Sequence, residues 1–429
     1  MINTNTNDSL TKNTTHKVVL PFYLYAALSF LAATLFLFYS TSAFTQHYFH
    51  PQTLAITHLM ALGWGTMMIL GASHQLVPVL IEGQLYSNKL AYTSFVLAAV
   101  GIPLLVYGFY VFNMGWPAKW GGRFVLLSIL CYLINLAVSI SKSKKENIHA
   151  IFVFTAAVWL FITAFLGLML VYNFTYLFLS EESIKYLPLH AHLGIIGWFL
   201  MLVIGVGSRL IPMFLISKYS NTKLLWVIYA LINGSMATFI FLFLYFPETS
   251  YYFIPVAAIL SAVVLFGYYC YSSFKQRIRN QVDEQLKISL LAVTMMVLPL
   301  IFLVVIIGWL MLNDLNNPMI IMYGFVVFFG WITAMIFGMT FKTLPFIVWN
   351  KVYHLQAGVS KTPNPKDLFS NTVFKVMGLV YLAGFVLFIF GIFTTNTFLL
   401  KFSSLLLITA ALLYNWNVIK IVFHKSTNP

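Results

Sequence analysis

The stretch HLMALGWGTMMILGASHQLVP, from His58 to Pro78, decides the fold because the chain repeats its frame twice. The frame recurs as HLGIIGWFLMLVIGVGSRLIP from His192 to Pro212, and as FVVFFGWITAMIFGMTFKTLP from Phe325 to Pro345. Each copy contains Gly-Trp, then Gly seven residues after the Trp, then Pro seven residues later. The tryptophans of this signature are spaced 134 and 133 residues apart, at Trp64, Trp198 and Trp331. Four fixed positions matched three times at one period indicate an internal repeat.

The composition is that of an integral membrane protein. The 429 residues are 61% hydrophobic and 8% charged, with a mean hydropathy of +0.89, which is more apolar surface than a soluble domain can bury. The apolar runs have the length of membrane-spanning helices rather than of the short alternating strands of a barrel. Cytoplasmic loops account for the net charge of +14, so we expect contact with membrane lipid and none with nucleic acid.

Twelve apolar runs predict twelve transmembrane helices. They cover residues 18–42, 54–80, 89–113, 122–141, 149–173, 190–215, 222–246, 251–273, 287–312, 318–346, 371–393 and 397–423. The signature falls in the second, sixth and tenth of these spans. The predicted fold class is therefore all-α, an integral membrane protein with three pseudo-symmetric four-helix units. Their approximate bounds are 17–145, 146–285 and 286–424, within a single transmembrane domain that covers residues 1–429.

The distribution of Lys and Arg predicts the orientation of the chain. With the N-terminus inside, the outer loops hold four of the 24 basic residues, Lys119, Arg123, Lys185 and Lys401. Basic residues collect in cytoplasmic loops, so both termini are predicted to be cytoplasmic, and we expect a bacterial inner membrane. The signature spans then begin at the outer surface.

The Gly, Trp and Pro positions of the signature are predicted to serve packing. Residues seven apart form one stripe along a helix, and glycine lets neighbouring membrane helices approach closely. A polar or basic side chain comes shortly before each proline, at Gln75, Arg209 and Lys342. Snorkelling of these side chains to the inner interface explains them without a function.

The histidines that begin two copies are the candidate functional residues. His58 and His192 occupy equivalent positions, and spans around a shared centre can direct both imidazoles toward one cavity. Two opposed neutral imidazoles are what the axial positions of a haem iron require. A copper or zinc ion and two hydrogen-bonded interfacial histidines are the alternatives. His190 lies two residues before His192, about 200° away around a helix, so it is a candidate for a second metal or a hydrogen bond.

The other histidines are weaker candidates. His47 and His50 lie in the loop before the second span, where they are candidates for a metal site but also for ordinary solvated side chains. His74 lies 16 residues beyond His58, about 24 Å along a helix. We therefore expect it at the inner surface and outside the site.

Two basic residues in a predicted outer loop are further candidates, and the predicted spans contain no acidic residues. The predicted outer loop WPAKWGGRF, residues 116–124, holds Lys119 and Arg123, which are candidate partners for haem propionates or anchors at the membrane interface. No Asp or Glu lies inside a predicted span, whereas proton pumps and proton-coupled carriers usually keep such groups in the membrane. The sequence therefore predicts no proton pump.

The twelve spans and the stretches THLMALGW and HAHLGIIGW resemble the catalytic subunit of haem–copper oxidases and nitric oxide reductases, especially its divergent subunit-I-like members. The architecture is also similar to the NnrS family of haem-containing membrane proteins of nitric-oxide stress. The resemblance covers nearly the whole chain in architecture, but its sequence support is confined to the repeated signature. It implies haem b, held by His58 and His192, and work in respiratory or nitric-oxide-related redox chemistry.

The chain departs from that pattern in two spans. The tenth span of an oxidase carries a His-x-His pair, whereas this chain has MYGFVVFFGW at residues 322–331. The seventh span lacks the oxidase His-His pair, which leaves His190 and His192 as the available copper ligands. A complete haem–copper centre is therefore not expected, and enzymatic turnover stays open. The expected partners are an electron-donor protein or a gas such as nitric oxide or oxygen. The alternative is a non-catalytic protein for copper handling or transport.

Overall fold

The computed structural model describes residues 16–143, 147–278, 281, 283–356 and 362–426, which fold as helices joined by short connections. Among these residues, twelve helices are long and apolar enough to cross a membrane, which confirms the predicted number of spans and the all-α membrane class. They are α1 (His16–Tyr39), α2 (Pro51–Leu80), α3 (Asn88–Tyr110), α4 (Trp116–Ser141), α5 (Ile148–Asn173), α6 (Ser183–Leu215), α7 (Thr222–Tyr245), α8 (Thr249–Lys275), α9 (Glu284–Leu310), α10 (Asn317–Tyr353), α11 (Asn371–Phe393) and α12 (Thr397–Val422).

Most of these helices begin at a polar side chain that accepts a hydrogen bond from the first turn. Ser87 accepts from the backbone N–H of Leu90, and Asp283 accepts from that of Leu286. Such caps satisfy amide groups that lack a partner within the helix. The other capping residues are His50, Asn147, Asn221, Asn316, Ser370 and Asn396.

Three predicted boundaries were wrong. Residues 116–124 form the first turns of α4 instead of an outer loop, because Pro117 suits a helix start and the basic side chains there lie against aromatic rings. Helix α6 begins at Ser183 rather than near residue 190, and α10 continues to Tyr353 rather than 346. Helix α9 begins at Glu284, so one acidic residue lies at the end of a span where none was predicted.

The glycine seven residues after each signature tryptophan lies against another helix, as the packing interpretation predicts. A Cβ on Gly71 would lie 2.6 Å from Phe22 Cβ in α1, and one on Gly205 would meet the Cβ of Phe152 in α5. On Gly338 it would meet Ser289 in α9, whose backbone nitrogen would be 2.8 Å away. Each signature helix thus packs closely on the helix that precedes it in the sequence.

The signature tryptophans join α2, α6 and α10 through hydrogen bonds. Trp64 Nε1 in α2 donates to Thr333 Oγ1 in α10 over 3.0 Å, and Trp198 Nε1 in α6 donates to Thr66 Oγ1 in α2 over 3.1 Å. Each acceptor is the residue two positions after a signature tryptophan. The corresponding residue in α6 is Leu200, which has no hydroxyl group. Trp331 Nε1 is buried, and it has no hydrogen-bond partner in the described part of the chain. The division into three units stays a prediction.

We expect Trp331→Phe to cost less stability than Trp198→Phe. Both changes replace a buried indole by a phenyl ring, but only Trp198→Phe removes a hydrogen bond. The two losses of stability should therefore differ by about 1 kcal/mol. Thermal unfolding of the two purified variants in one detergent measures it. Equal losses would contradict the assigned hydrogen bonds.

Candidate functional site

A cavity of about 280 Å³ lies among α2, α5, α6 and α10. It is near the ends at which the signature helices begin, and its walls are largely aliphatic and aromatic. Among the described residues that line it, His58 and His190 carry imidazole groups. A mostly apolar cavity with a few polar groups is the usual form of a cofactor or small-molecule site.

Local backbone geometry sets the position of the histidines. The helices change from α to π geometry immediately after His58, His192 and Phe325, in the segments Leu59–Thr66, Leu193–Leu200 and Val326–Ile332. A π segment has hydrogen bonds between residues i and i+5 and often marks a functional site. Because it turns fewer degrees per residue than an α-helix, side-chain directions extrapolated along these spans from ideal α geometry are wrong beyond this point.

The imidazoles of His58 and His190 lie side by side. Their ring centroids are 6.1 Å apart and their planes differ by 19°. His58 Nδ1 lies 2.8 Å from the carbonyl oxygen of Leu54, and His190 Nδ1 lies 3.1 Å from that of Thr163. A carbonyl oxygen only accepts, so each Nδ1 carries the proton and each Nε2 keeps its lone pair. In the described chain, no side chain or backbone group donates to either Nε2.

His192 is placed differently from the expected partner of His58. It is absent from the cavity wall, and its Nδ1 donates to the carbonyl oxygen of Pro188 over 2.7 Å. Its Nε2 therefore accepts from the hydroxyl group of Tyr323, 3.2 Å away in α10. His190 and His192 thus face different neighbours, as their 200° separation predicts, but the structure brings His190 to His58.

In both contacts, the partner side chain lies two positions before the equivalent residue of the next signature. His58 in α2 meets the residue two positions before His192, and His192 meets Tyr323, two positions before Phe325. Equivalent side chains thus contact the next helix rather than each other. The sequence analysis did not single out Tyr323, although its position relative to Phe325 matches that of His190 relative to His192.

The third copy fills the corresponding space with aromatic rings. Phe325 stacks on Phe388 with centroids 4.4 Å apart, on Phe329 at 4.7 Å and on Phe385 at 5.6 Å. Phe325 and Phe388 are almost completely buried. Helix α10 therefore has packed phenylalanines at the position where α2 and α6 carry His58 and His192.

Lys119 and Arg123 lie on one face of α4 against tyrosine and tryptophan rings. Lys119 Nζ is 5.0 Å from the ring centroid of Tyr172 and 4.8 Å from that of Tyr176. Arg123 donates to the hydroxyl of Tyr172 and lies 4.6 Å from the Trp120 ring. Neither side chain lines the cavity, although Gly122 does. These contacts are those of cations held by aromatic rings.

The remaining candidate histidines are separate from the cavity wall. His47 Nδ1 accepts from the N–H of Phe49, and His50 Nδ1 accepts from that of Gln52 at the start of α2. His74 is buried between Phe22 and Tyr132, rather than at the inner surface where it was expected. The described residues hold no group of three His, Cys, Asp or Glu side chains placed to bind a metal ion.

Glycine at position 167 makes room for His190. A Cβ added there would lie 2.7 Å from His190 Cε1 and 3.3 Å from its Nδ1. We expect Gly167→Ala to push the imidazole from its place beside His58 and to reduce occupancy of any ligand bound to both rings several-fold. Gly234→Ala is the matched control, because a Cβ there meets no atom within 4 Å. Ligand content per purified chain is the measurement, and equal occupancy in both variants would contradict this placement.

Comparison with known proteins identifies no family. The chain matches no protein-family model and no curated protein.

Proposed function

We propose that the chain is a haem-binding membrane protein of the haem–copper oxidase subunit I type, acting in respiratory or nitric-oxide-related redox chemistry. One observation carries the proposal. His58 and His190 direct two imidazoles with free Nε2 lone pairs into one apolar cavity from different helices. This pair replaces His58 and His192, because Tyr323 already occupies His192 Nε2.

The spacing of the two imidazoles supports a metal between them. Metal–nitrogen bonds of about 2 Å place the centroids of two imidazoles on opposite sides of one metal about 6 Å apart. The observed separation is 6.1 Å. Hydrogen bonds from Nδ1 to backbone carbonyls fix the tautomer and the ring orientation, which is how histidine ligands of metals are commonly held.

A haem held by both imidazoles would supply a redox-active iron that exchanges electrons, and a diatomic gas would bind that iron only in place of one imidazole. In that arrangement His58 and His190 hold the group, and the carbonyls of Leu54 and Thr163 orient the imidazoles. The aliphatic and aromatic walls keep water away. The phenylalanine stack around Phe325 in α10 argues against a complete haem–copper centre. We further propose a bacterial inner membrane, cytoplasmic termini, and an electron-donor protein, nitric oxide or oxygen as partner.

The spectrum and metal content of the purified protein test this proposal. We expect a b-type α band on reduction, a positive pyridine haemochrome assay, and about one iron per chain if the two imidazoles share one haem. Expression in haem-replete cells and extraction in mild detergent guard against loss during purification. Protein that contains neither iron nor haem, even after incubation with hemin, would refute the proposal.

Copper handling is the second candidate function. Two imidazoles without a third ligand among the described residues also suit a cuprous ion, for which soft or imidazole ligands are typical. Protein with copper bound in proportion to the chain, and without haem, would favour this function over the first.

A further inference from the structure

A second, larger cavity of about 900 Å³ lies toward the opposite ends of the signature helices. Its walls come mainly from α2, α6, α9 and α10. Of the described residues, Phe199 alone lines both cavities. The Phe199 ring packs directly against Gly65, because a Cβ added to Gly65 would lie 2.8 Å from Phe199 Cε1. Phe199 therefore separates a histidine cavity from this second space.

The second cavity is apolar at its deep end and polar at its mouth. Along α10, its wall runs from Ile332 and Met335 near Phe199 to Lys342. Ten residues separate Ile332 from Lys342, which corresponds to a depth of about 15 Å in an α-helix. Leu202 and Val203 of α6 continue the apolar wall beside Phe199. The space thus has an apolar end and a charged end, which is the polarity that an amphiphile requires.

The mouth carries an ion pair and a further cation. Lys342 Nζ lies 2.5 Å from Asp283 Oδ2, and the two side chains are only 17% and 28% exposed. The Lys342 ammonium also lies 5.1 Å from the ring centroid of Phe214. Snorkelling alone therefore does not account for Lys342. Among the described residues that line the cavity, the charged ones are Asp283, Lys342 and Lys366, which leaves one positive charge in excess.

We propose that this cavity binds a single-chain amphiphile with a carboxylate headgroup, a free fatty acid. The carboxylate lies at the mouth, where Lys342 and Lys366 attract it and Lys342 retains donors beyond its bond to Asp283. The alkyl chain fills the apolar end as far as Phe199. The single negative charge of a carboxylate matches the one excess positive charge among the described lining residues.

Photolabelling of the full-length protein tests the proposal. Purified protein in detergent is irradiated with a palmitic acid that carries a diazirine near its methyl end, and labelled peptides are identified by mass spectrometry. We expect label on α6 and α10 near Phe199, removed by excess palmitate. The matching diazirine alcohol should label several-fold less. Equal labelling by acid and alcohol, or competition by phosphatidylglycerol but not by palmitate, would overturn the proposal.

Two valine-to-tryptophan variants test where the alkyl chain of the fatty acid lies. Val203→Trp fills the apolar end, and we expect it to reduce labelling at least fivefold. Val227→Trp, at a 49% exposed position of α7, is the control and should label as the unmodified protein does. Lys366→Gln removes the further cation without disturbing the Lys342–Asp283 pair, and should weaken competition by palmitate several-fold. Size-exclusion profiles verify that each variant is folded. Undiminished labelling of a folded Val203→Trp protein would place the fatty acid elsewhere.

Discussion

Replacing His190 by alanine is expected to abolish the haem spectrum, whereas replacing His192 by alanine should leave it intact. The rings of His190 and His58 lie 6.1 Å apart in the wall of the cavity, and no group in the described chain donates to either Nε2. His192 instead accepts a hydrogen bond from Tyr323 through its Nε2 and does not line the cavity. If both imidazoles hold the haem, the loss of either one would weaken its binding, so His58→Ala should behave as His190→Ala does.

Haem per chain and the reduced spectrum of each purified variant measure this difference. We expect His58→Ala and His190→Ala to retain less than about a tenth of the haem, since each would lose one of the two imidazoles proposed to hold it. His192→Ala is the matched control, two residues from His190 and with the same loss of imidazole. Loss of haem in His192→Ala with retention in His190→Ala would restore the pair expected from the repeat and refute the geometry.

The sequence was sufficient to predict the all-α class and the number of membrane-spanning helices because the apolar runs have a clear length and number. The twelve runs correspond to twelve helices. Boundaries failed where charged side chains begin or end a span, as at Lys119 in α4. Hydropathy places such residues in a loop, but their charged groups lie against aromatic rings while the backbone stays helical.

The candidate site was predicted only in part. The sequence singled out His58 and His190, but it paired His58 with His192 because repeat positions were taken to face one another. The structure instead places His58 beside His190 and His192 beside Tyr323, in each case two positions before the equivalent residue of the next signature. That offset depends on how three helices with π segments are arranged, and no local pattern in one helix records it.

The sequence also did not predict the ion pair at the other end of the signature helices. Lys342 was explained by snorkelling because Asp283 lies 59 residues earlier in the chain. Only the packing of α9 against α10 brings the two charges together. An ion pair that is largely buried is weak evidence for stability, because desolvation offsets its attraction. The position of this ion pair at the mouth of the larger cavity is what supports a role in ligand binding.

Replacing Gly338 by valine should disrupt the bundle more than the same change at Gly330, where a Cβ would meet the side chain of Phe385. A Cβ at this position would lie 2.8 Å from the backbone nitrogen of Ser289 and 2.9 Å from the backbone oxygen of Gln285. These atoms belong to the α9 backbone, so no side-chain rotation relieves the clash. Overpacking of a well-packed interior costs about 1–3 kcal/mol, and we expect at least the upper end of that range.

Gly324→Val is the matched control, because it lies in the same helix and a Cβ there meets no atom within 4 Å. Thermal unfolding in detergent, followed by size exclusion, should show a large loss for Gly338→Val and a small one for Gly324→Val. Because α9 supplies Asp283 at the mouth of the larger cavity, a shift of this helix should also reduce fatty-acid labelling in any Gly338→Ala protein that still folds. Equal stability of the two valine variants would mean that α9 and α10 are farther apart than described. The signature glycine would then have no packing role in the third copy.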